Sequence, residues 1–327
     1  MRWGIIGFGR ISRNRFLPAL EEVEGSELTA IVTTHPENIK DIPARYSPKI
    51  YSDVNELDDV DVVYIATPNS MHKDQAITCA RKGINVFCEK PIALNVIETV
   101  EMIEECQRNR VVLGVAHMGR FNPFNIGAKR LLEDNIVGRL GIIKASFSFV
   151  NDRRDEWRYN PLLSGGGSIM DIGVHIINAI HYFRPGKRIV EVCAINENLG
   201  YEVEQNAAAI ARFDDGVIAL MDASYDTSSS VSFEIRGDKG ILYILDTLFQ
   251  EYDGKVILRM GNEFKFYTFY GRNQYLSEIL DMEEAISKGK KPATDGYDAL
   301  KDMEVIEAWY RSNRNRKRED LSSLLTL

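Results

Sequence analysis

The strongest constraint on the fold is a regular alternation of short apolar runs and longer mixed segments over about the first 120 residues. The apolar runs predict strands at residues 3–6, 28–32, 60–66, 85–88 and 111–116. Helices are predicted between them at residues 11–22, 74–82 and 95–109. Strands that alternate with helices of this length are typical of a doubly wound parallel sheet. The sequence therefore predicts an α/β first domain over residues 1–119.

The pattern changes after residue 120, where strand signals follow one another closely. A helix is predicted at 124–134, and strands are predicted at 142–150, 189–196, 206–213, 217–225, 230–237 and 240–246. Asp214-Asp215-Gly216 and Gly237-Asp238-Lys239-Gly240 supply turn residues between consecutive strands, as expected for antiparallel hairpins. Further helices are predicted at 168–182, 275–288 and 297–313. Residues 120–327 are therefore predicted to form an α+β domain on a large, mainly antiparallel open sheet.

The composition is that of a protein with a packed core. The 327 residues are 44% hydrophobic and 27% charged, which fits about two domains. The formal net charge of −8 argues against a nucleic-acid partner, because broad binding to phosphates needs a basic face. One basic cluster could attract an anion, but it fits better at the end of a terminal helix, facing water. Its members are Arg311, Arg314, Arg316, Lys317 and Arg318.

The four cysteines, Cys79, Cys88, Cys106 and Cys193, lack the spacing of a zinc site or a redox pair. They are predicted to be reduced thiols, and no metal site is expected. The sequence has no apolar stretch of about 18 residues, and no basic segment followed by a long apolar run opens it. These features predict a protein of the cytoplasm that has no membrane partner.

A glycine-rich turn follows the first predicted strand directly, with the sequence Gly7-Phe8-Gly9-Arg10-Ile11-Ser12. At this position, backbone N–H groups and the helix dipole could bind the pyrophosphate of a dinucleotide. Gly7 permits a tight turn, Gly9 lets the backbone approach the phosphate, and Ser12 places a small side chain where a third glycine is common. A plain strand-to-helix turn is the alternative. The surrounding strand–helix pattern favours the dinucleotide site.

The second predicted strand ends at Thr33-Thr34-His35, where many NAD-binding chains place an acidic residue that binds the ribose 2′-hydroxyl. Two hydroxyl groups without a nearby carboxylate could instead accept a 2′-phosphate, with help from Arg10 or Lys40. Alternatively, Thr33 and Thr34 only begin a turn. A 2′-phosphate is usually bound by an arginine or lysine as well. The sequence favours NADP as the cofactor, with NAD as the alternative.

Two further segments follow strands and so lie at the carboxyl edge of the predicted sheet, where open α/β folds bind ligands. They are Thr67-Pro68-Asn69-Ser70-Met71-His72 and Glu89-Lys90-Pro91. Cofactor contacts are predicted for Thr67, Pro68, Asn69, His72, Glu89 and Lys90. The ammonium group of Lys90 could also stabilise an alkoxide formed during alcohol oxidation, although a lysine at such an edge is often only solvated.

The segment Gly165-Gly166-Gly167-Ser168 opens a predicted helix that carries Asp171 and His175 four residues apart, on one face. His175 could take a hydroxyl proton while hydride leaves the same carbon. Asp171 could orient the imidazole or bind the substrate. Such a pair is more often a simple hydrogen bond. Its combination with Lys90 favours a catalytic role.

Together these segments resemble the Gfo/Idh/MocA family over nearly the whole chain. The resemblance rests on residues 7–12 (GFGRIS), 66–72 (ATPNSMH), 88–91 (CEKP), 156–175 (EWRYNPLLSGGGSIMDIGVH) and 223–240 (ASYDTSSSVSFEIRGDKG). It implies a Rossmann domain that holds NAD(P), a second domain whose open sheet often forms an oligomer interface, and a sugar-like substrate. A homodimer or homotetramer is therefore expected.

The resemblance also implies roles for individual residues. Lys90, Asp171 and His175 match the family's catalytic positions, and Thr33-Thr34 is similar to the hydroxyl-rich pocket of NADP-using members. His175 departs from the glucose-fructose oxidoreductase branch, which carries tyrosine there, so that branch's specific reaction is not implied. Substrate contacts are implied for Arg120, Asn122, Trp157, Arg158 and Tyr159. Trp157 could simply pack, and Arg158 could instead bind the cofactor amide or a neighbouring carboxylate.

The expected function is hydride transfer between NAD(P) and a hydroxyl or carbonyl carbon of a sugar, a polyol or a related cyclic alcohol. The alternative is a non-catalytic, structural or sensor protein that binds NAD(P). The presence of Lys90, Asp171 and His175 in one chain favours the enzyme.

Overall fold

The computed structural model of the protein describes residues 1–39, 42–152, 156–228, 231–251 and 253–321. The chain divides into two compact units. Met1–His117 and Tyr275–Leu300 form the first unit, and Met118–Gln274 forms the second together with the chain from Lys301 onward.

The described part of the first unit contains a six-stranded parallel sheet. Its strands are β1 (Arg2–Ile6), β2 (Glu27–Val32), β3 (Lys49–Tyr51), β4 (Val62–Ile65), β5 (Asn85–Glu89) and β6 (Leu113–Ala116). They lie in the order β3-β2-β1-β4-β5-β6. Its first helices are α1 (Leu17–Glu21), α2 (His72–Arg81) and α3 (Val96–Arg108), with a π-helical turn at Ser12–Phe16 before α1. The predicted doubly wound parallel sheet is confirmed.

The strand order reverses between β1 and β4, which is where open α/β sheets bind their ligands. The pairing register brings the carboxyl ends of the strands into one row. Ile6 pairs with Val32 on one side and with Ile65 on the other, and Ile65 pairs with Cys88. The residues that follow these four strand ends therefore lie along one edge of the sheet.

The second unit, as far as it is described, contains a nine-stranded sheet in the order β14-β13-β12-β11-β7-β10-β9-β8-β15. Its strands are β7 (Leu140–Ser148), β8 (Ile189–Glu197), β9 (Asn206–Phe213), β10 (Ile218–Ser224), β11 (Ser232–Gly237), β12 (Ile241–Leu245), β13 (Lys255–Met260), β14 (Glu263–Tyr267) and β15 (Glu319–Asp320). Only β7 and β10 pair in parallel. Its helices include α4 (Pro123–Glu133), α5 (Pro161–Ser164) and α6 (Val174–Phe183). The predicted large, mainly antiparallel sheet is confirmed, and the predicted strand residue Ser230 lies outside the described residues.

The chain returns to the first unit through α7 (Gln274–Lys288), and α8 (Gly296–Asn315) follows. Trp3 Nε1 donates a hydrogen bond to Glu283 at 2.7 Å, and Gly114 pairs with Asp295 through a β-bridge. The sequence placed the whole of residues 120–327 in the second domain. The observed division differs because residues 275–300 pack against the first sheet.

The strands of the second sheet alternate between a buried face and an exposed face. In β9, Ala207, Ala209 and Ala211 are buried, while Ile210 between them is 55% exposed. Ile195 on β8 and Phe266 on β14 are 76% and 73% exposed. The outer face of this sheet, called here the open face, therefore carries large apolar side chains that nothing in the chain covers among the described residues.

Candidate active site

The predicted site residues fall in two groups, one in each unit. In the first unit, the Gly7 turn follows β1, Thr33 follows β2, Thr67 follows β4, and Lys90 follows β5. The pairing register described above places these four positions along the carboxyl edge of the parallel sheet. The structure thus brings together the segments that the sequence assigned to cofactor binding.

The Gly7 turn has the backbone shape that a dinucleotide site requires. Gly7 has a φ of +88°, and a Cβ there would lie 2.8 Å from both the Ala66 carbonyl oxygen and Thr67 Cγ2. A side chain at this position is therefore excluded. A Cβ at Gly9 would meet no atom within 4 Å, so the space over this part of the turn is open.

The side chains of the turn divide by burial. Phe8 and Ser12 are buried, and Ser12 Oγ donates a hydrogen bond to the Gly7 carbonyl oxygen at 2.7 Å. These two residues therefore present only backbone groups, while Arg10 is exposed and Ile11 is half-buried. The turn fits a dinucleotide pyrophosphate, which would be held by backbone N–H groups at the start of the helical segment.

The residues that follow β2 form a turn. The His35 N–H donates to Thr33 Oγ1 at 3.1 Å, and Thr34 is exposed. His35 Nδ1 lies 3.1 Å from Glu37 Oε1, so a carboxylate that the sequence reasoning did not consider is close to this turn. The preference for NADP therefore stays a prediction. Lys40, which was suggested as a helper, lies outside the described residues.

The Thr67 segment is tied to the Lys90 segment by a buried histidine. His72 is only 1% exposed, and its ring nitrogens lie 3.0 Å from the Pro91 carbonyl oxygen (Nδ1) and 2.9 Å from the Thr67 carbonyl oxygen (Nε2). Burial lowers the pKa of His72. This geometry argues against the predicted direct cofactor contact, because both ring nitrogens face backbone oxygens. Asn69 is also buried, and Thr67 Oγ1 donates to Gln75 Oε1 at 2.7 Å.

Lys90 and Glu89 follow β5 and are both half-buried. The Lys90 backbone N–H donates to Glu89 Oε2 at 3.2 Å, and the hydroxyl of Tyr64 donates to Glu89 Oε1. Glu278 on α7 is a second, fully enclosed carboxyl group near Glu89. Burial, and secondly the charge of Glu89, raise the pKa of Glu278 well above its ordinary value. Glu89 therefore supports its own strand end, and its predicted cofactor contact stays a prediction.

In the second unit, three glycines shape the turn that opens the candidate catalytic segment. Gly165 has a φ of +77° and ends α5. A Cβ at Gly166 would collide with the hydroxyl of Tyr310, and a Cβ at Gly167 would collide with the carbonyl oxygen of Glu204. Each glycine is therefore required for its own reason, either a left-handed conformation or a close approach.

The segment after this turn is π-helical at Ile169–Gly173 and continues as α6. The predicted helix is confirmed, and its first turn is of the π type that is frequent at functional sites. Asp171 lies in this turn and His175 lies about one helical turn later, so the two residues share one continuous helical segment. The ring of His175 is half-buried, with its centroid 6.0 Å from that of Phe147.

The side chains of Tyr225 and Arg158 contact the carboxylate of Asp171. The hydroxyl of Tyr225 donates to Asp171 Oδ2 at 2.8 Å, and Arg158 Nε lies 3.3 Å from the same oxygen. Burial, and secondly the charge of Asp171, raise the pKa of Tyr225 well above its ordinary value, so its hydroxyl remains a donor. The sequence reasoning missed Tyr225 as a site residue, although Tyr225 lies within the quoted segment 223–240.

The remaining predicted substrate residues lie in different environments. Trp157 stacks under Arg158, whose guanidinium carbon is 4.6 Å from the ring centroid, and Arg158 also pairs with Glu156 at 3.1 Å. Arg158 therefore binds neighbouring carboxylates, as its alternative interpretation held. Tyr159 is 8% exposed and packs on Tyr225 with 5.8 Å between ring centroids.

Arg120 and Asn122 are held by contacts within the unit. Arg120 Nε donates to Asn178 Oδ1 at 2.9 Å. Asn122 is completely buried, where its Oδ1 accepts the Phe124 N–H at 2.9 Å and its Nδ2 donates to the Asp253 carbonyl oxygen at 3.0 Å. Asn122 thus caps α4, and the structure argues against the predicted substrate contact of this residue.

Two negative findings concern residues 1–39, 42–152, 156–228, 231–251 and 253–321. No helix in these parts of the chain is long and apolar enough to cross a membrane. No group of three or more histidine, cysteine, aspartate or glutamate side chains in the same parts is arranged to hold a metal ion.

Comparison with known proteins decides the family. Residues 1–117 match an oxidoreductase family with an NAD-binding Rossmann fold, and residues 126–243 match the GFO/IDH/MocA C-terminal domain. The scyllo-inositol 2-dehydrogenase (NADP(+)) of Bacillus subtilis (strain 168) is 33% identical over 259 residues, which is 76% of each chain. This chain belongs to the Gfo/Idh/MocA family. As a member of this family, it is an NAD(P)-dependent oxidoreductase, as the sequence predicted.

Two other similarities extend over almost the whole length. The D-xylose 1-dehydrogenase (NADP(+)) 2 of Haloferax volcanii is 27% identical over 328 residues, covering 95% of this chain and 97% of that enzyme. The crystal structure of aldose-aldose oxidoreductase from Caulobacter crescentus, complexed with glycerol, has a TM-score of 0.91 at 30% identity, covering 98% of this chain and 99% of that one. All three proteins are oxidoreductases, and none supports the non-catalytic alternative.

Proposed function

We propose that this Gfo/Idh/MocA oxidoreductase transfers hydride between NADP and a hydroxyl-bearing carbon of a sugar, a polyol or a related cyclic alcohol. The observation that carries the proposal is the arrangement around Asp171. Its carboxylate is held by Tyr225 and Arg158 about one helical turn before His175. The relatives named above, a D-xylose dehydrogenase and a scyllo-inositol dehydrogenase, support this substrate class.

His175 is the proposed proton acceptor during alcohol oxidation and the proton donor during carbonyl reduction. Imidazole is the side chain that exchanges protons near neutral pH. Oδ2 of Asp171 contacts Tyr225 and Arg158, so turning this oxygen to the imidazole would break both contacts. Asp171 is therefore proposed to orient a substrate hydroxyl with its fixed negative charge.

Lys90 is the proposed electrostatic stabiliser of the alkoxide that develops on the substrate oxygen. Its backbone position is fixed by Glu89 and by the His72 contact to Pro91. The nicotinamide, when bound, accepts or supplies the hydride. A fixed cation at the reacting oxygen lowers the free energy of the charged species without reorganisation during the reaction.

The proposed cofactor preference is NADP over NAD. Thr33 and the exposed Thr34 follow β2 without a carboxylate at either position, and the two curated relatives named above carry NADP(+) in their names. Glu37 opposes this preference, because its negative charge would repel a 2′-phosphate. The direct measurement is the dissociation constant of each reduced cofactor, read from nicotinamide fluorescence.

The experiment that tests the function uses three substrates and both cofactors. D-xylose and scyllo-inositol are offered with oxidised cofactor. The sugar ketone 1,5-anhydro-D-fructose is offered with reduced cofactor, to test the reductive direction. Absorbance of the reduced nicotinamide is followed in each case. Lys90→Ala and His175→Ala should each lower kcat by about 100-fold or more while cofactor affinity changes little. Lys288→Ala is the matched control, because this exposed lysine pairs with Glu284 on the surface of α7. Near-normal turnover in both site variants would contradict the assigned roles.

We also propose a homodimer or homotetramer that works in the cytoplasm. The open face supports self-association, since large apolar side chains are exposed on its β8, β9 and β14 strands. All four cysteines are free thiols, which supports a reducing compartment.

A further inference from the structure

Glu204 supplies hydrogen-bond acceptors to the start of the helical segment that carries Asp171 and His175. Its carboxylate Oε1 accepts the N–H of Gly167 at 3.0 Å and the N–H of Ile169 at 2.9 Å. Its own backbone carbonyl accepts the N–H of Ser168 at 3.0 Å. One residue thus binds three consecutive backbone donors. The hydroxyl of Tyr310 donates to the same Oε1 at 2.9 Å.

These three donors lie where a helical segment needs external acceptors. The first N–H groups of a helix have no partner within the helix, and an unpaired buried N–H is costly. The turn is buried here, as is Glu204, which is 4% exposed. A carboxylate at this end also interacts favourably with the partial positive charge of the helix terminus.

The turn needs glycine at the positions where Glu204 and Tyr310 pack against it. Gly167 has no room for a side chain because the Glu204 carbonyl oxygen approaches it, and Gly166 has none because of the Tyr310 hydroxyl. The backbone from Gly166 to Ile169 is therefore fixed from two directions. Asp171 follows Ile169 by two residues, so its position depends on where this backbone begins.

The described hydrogen bonds of the Glu204 carboxylate do not involve the proposed reacting groups. Among the described contacts of its carboxylate are two backbone N–H groups and Tyr310, and neither Asp171 nor His175 is one of them. Burial raises the pKa of Glu204, and the hydrogen bonds from Ile169 and Gly167 oppose that shift. The described hydrogen bonds of the carboxylate thus act on the chemistry through the backbone that they hold, while its charge also helps to raise the pKa of Tyr225.

We propose that Glu204 is a positioning residue for Asp171 and His175, a role that rests on the proposed function. It acts by accepting the backbone donors of Gly167 and Ile169, which sets the start of the helical segment that carries both side chains. A displacement of about 1 Å at reacting groups can cost on the order of 100-fold in rate. Removing the acceptor should therefore reduce kcat and spare cofactor binding, which belongs to the other unit.

The test compares Glu204→Ala with Glu204→Gln, using whichever of D-xylose, scyllo-inositol and 1,5-anhydro-D-fructose is turned over fastest. Glu204→Ala should lower kcat by about 100-fold, while KM and the dissociation constant of NADPH change by less than about threefold. Glu204→Gln should stay within about fivefold of the wild-type kcat, because the amide oxygen still accepts both N–H groups. A wild-type kcat in the alanine variant, or a glutamine variant as inactive as the alanine variant, would overturn the proposal.

Controls separate positioning from folding and from the function itself. Glu304→Ala removes a similarly buried carboxylate that pairs with Arg188, and it should lower the unfolding temperature without a comparable loss of kcat. Should Glu204→Ala not fold, Glu204→Asp replaces it, because the shorter carboxylate cannot reach both N–H groups and should show the same loss. Lys90→Ala is assayed in parallel. If Lys90→Ala loses activity and Glu204→Ala does not, the positioning role fails alone; if Lys90→Ala stays active, the proposed function fails.

Discussion

At the scale of single residues, the contact between Tyr225 and Asp171 is the one most directly open to test. The phenol donates at 2.8 Å to a carboxylate oxygen that also faces Arg158. Tyr225→Phe removes that donor with almost no change in shape. A hydrogen bond to a charged group is worth about 1.5–3 kcal/mol, so kcat/KM should fall by about tenfold or more. Steady-state kinetics with the fastest of the three test substrates measures the effect.

The matched control for Tyr225→Phe is Tyr297→Phe. Tyr297 accepts a hydrogen bond from Gln107 at 2.8 Å on the surface of the first unit. This variant should keep the wild-type kcat/KM. Equal kinetics in the two variants would show that Asp171 does not depend on Tyr225.

Glu278 makes the stability of the protein depend on pH. Burial raises its pKa in the folded protein well above the unfolded value of about 4.5, so folding is coupled to keeping the proton. The stabilisation is present below about pH 4.5 and is lost as the pH rises towards the folded pKa, by up to about 1.4 kcal/mol per pH unit. Glu278→Gln cannot titrate. The unfolding free energy of this variant relative to wild type should therefore increase between pH 5 and pH 8, as measured by urea denaturation.

The control for this pH dependence lies on the same helix. Lys288 and Lys290 lower the pKa of Glu284 to about 2, so Glu284 does not titrate between pH 5 and pH 8. Glu284→Gln should change the unfolding free energy by the same amount at both pH values. A pH-independent difference for Glu278→Gln as well would mean that the buried carboxyl does not hold its proton.

At the scale of elements, His72 links the loop after β4 to the loop after β5. Its ring nitrogens lie within 3.0 Å of the Pro91 and Thr67 carbonyl oxygens. His72→Ala removes this link and leaves a cavity, which should lower the unfolding free energy by about 2 kcal/mol or more. Because Lys90 precedes Pro91, losing this link should also displace Lys90 and lower kcat by about tenfold. The control is Lys73→Ala, one residue along α2, whose half-buried side chain pairs with Glu101. It should leave both quantities nearly unchanged.

The elements also show what sequence patterns can and cannot predict. Each long apolar run of the first 120 residues became a buried strand, because both faces of the parallel sheet are covered. β3 was missed since it has three residues and no buried side chain. β14 was missed although Phe264 and Phe266 alternate with charged residues, which is a strand signal that could have been read.

The site was predictable to the extent that it consists of local motifs. The Gly7 turn, Lys90, Asp171 and His175 all follow recognisable strand or helix boundaries. Partners that lie far along the chain have no such signal. Tyr225 is 54 residues from Asp171, and Glu204 reaches Gly167 across 37 residues. Only the pairing of β10 with its neighbours, and the loop before β9, bring these groups into contact.

At the scale of the whole molecule, the chain does not divide into two consecutive pieces. Residues 275–300 rejoin the first unit through Trp3–Glu283 and the Gly114–Asp295 bridge. Helical periodicity predicted that α7 and α8 exist, but it carries no information about which sheet they pack against. The family match to residues 1–117 likewise leaves this return segment out.

The open face leads to a prediction about assembly. Ile210 on β9 is 55% exposed and pairs with Cys193 on one side and with Leu220 on the other, so it stands near the middle of an apolar stretch of the sheet. A stable interface buries about 1,000 Å² or more, and a broad sheet face can supply that area to a second copy of the chain.

Light scattering at micromolar concentration should therefore give twice or four times the chain mass. Ile210→Glu should shift the mass to that of one chain, because each buried glutamate would lose its hydration without gaining a partner. Ile97→Glu, an exposed apolar position on α3, should leave the assembly intact, and a monomeric wild-type protein would rule out the interface.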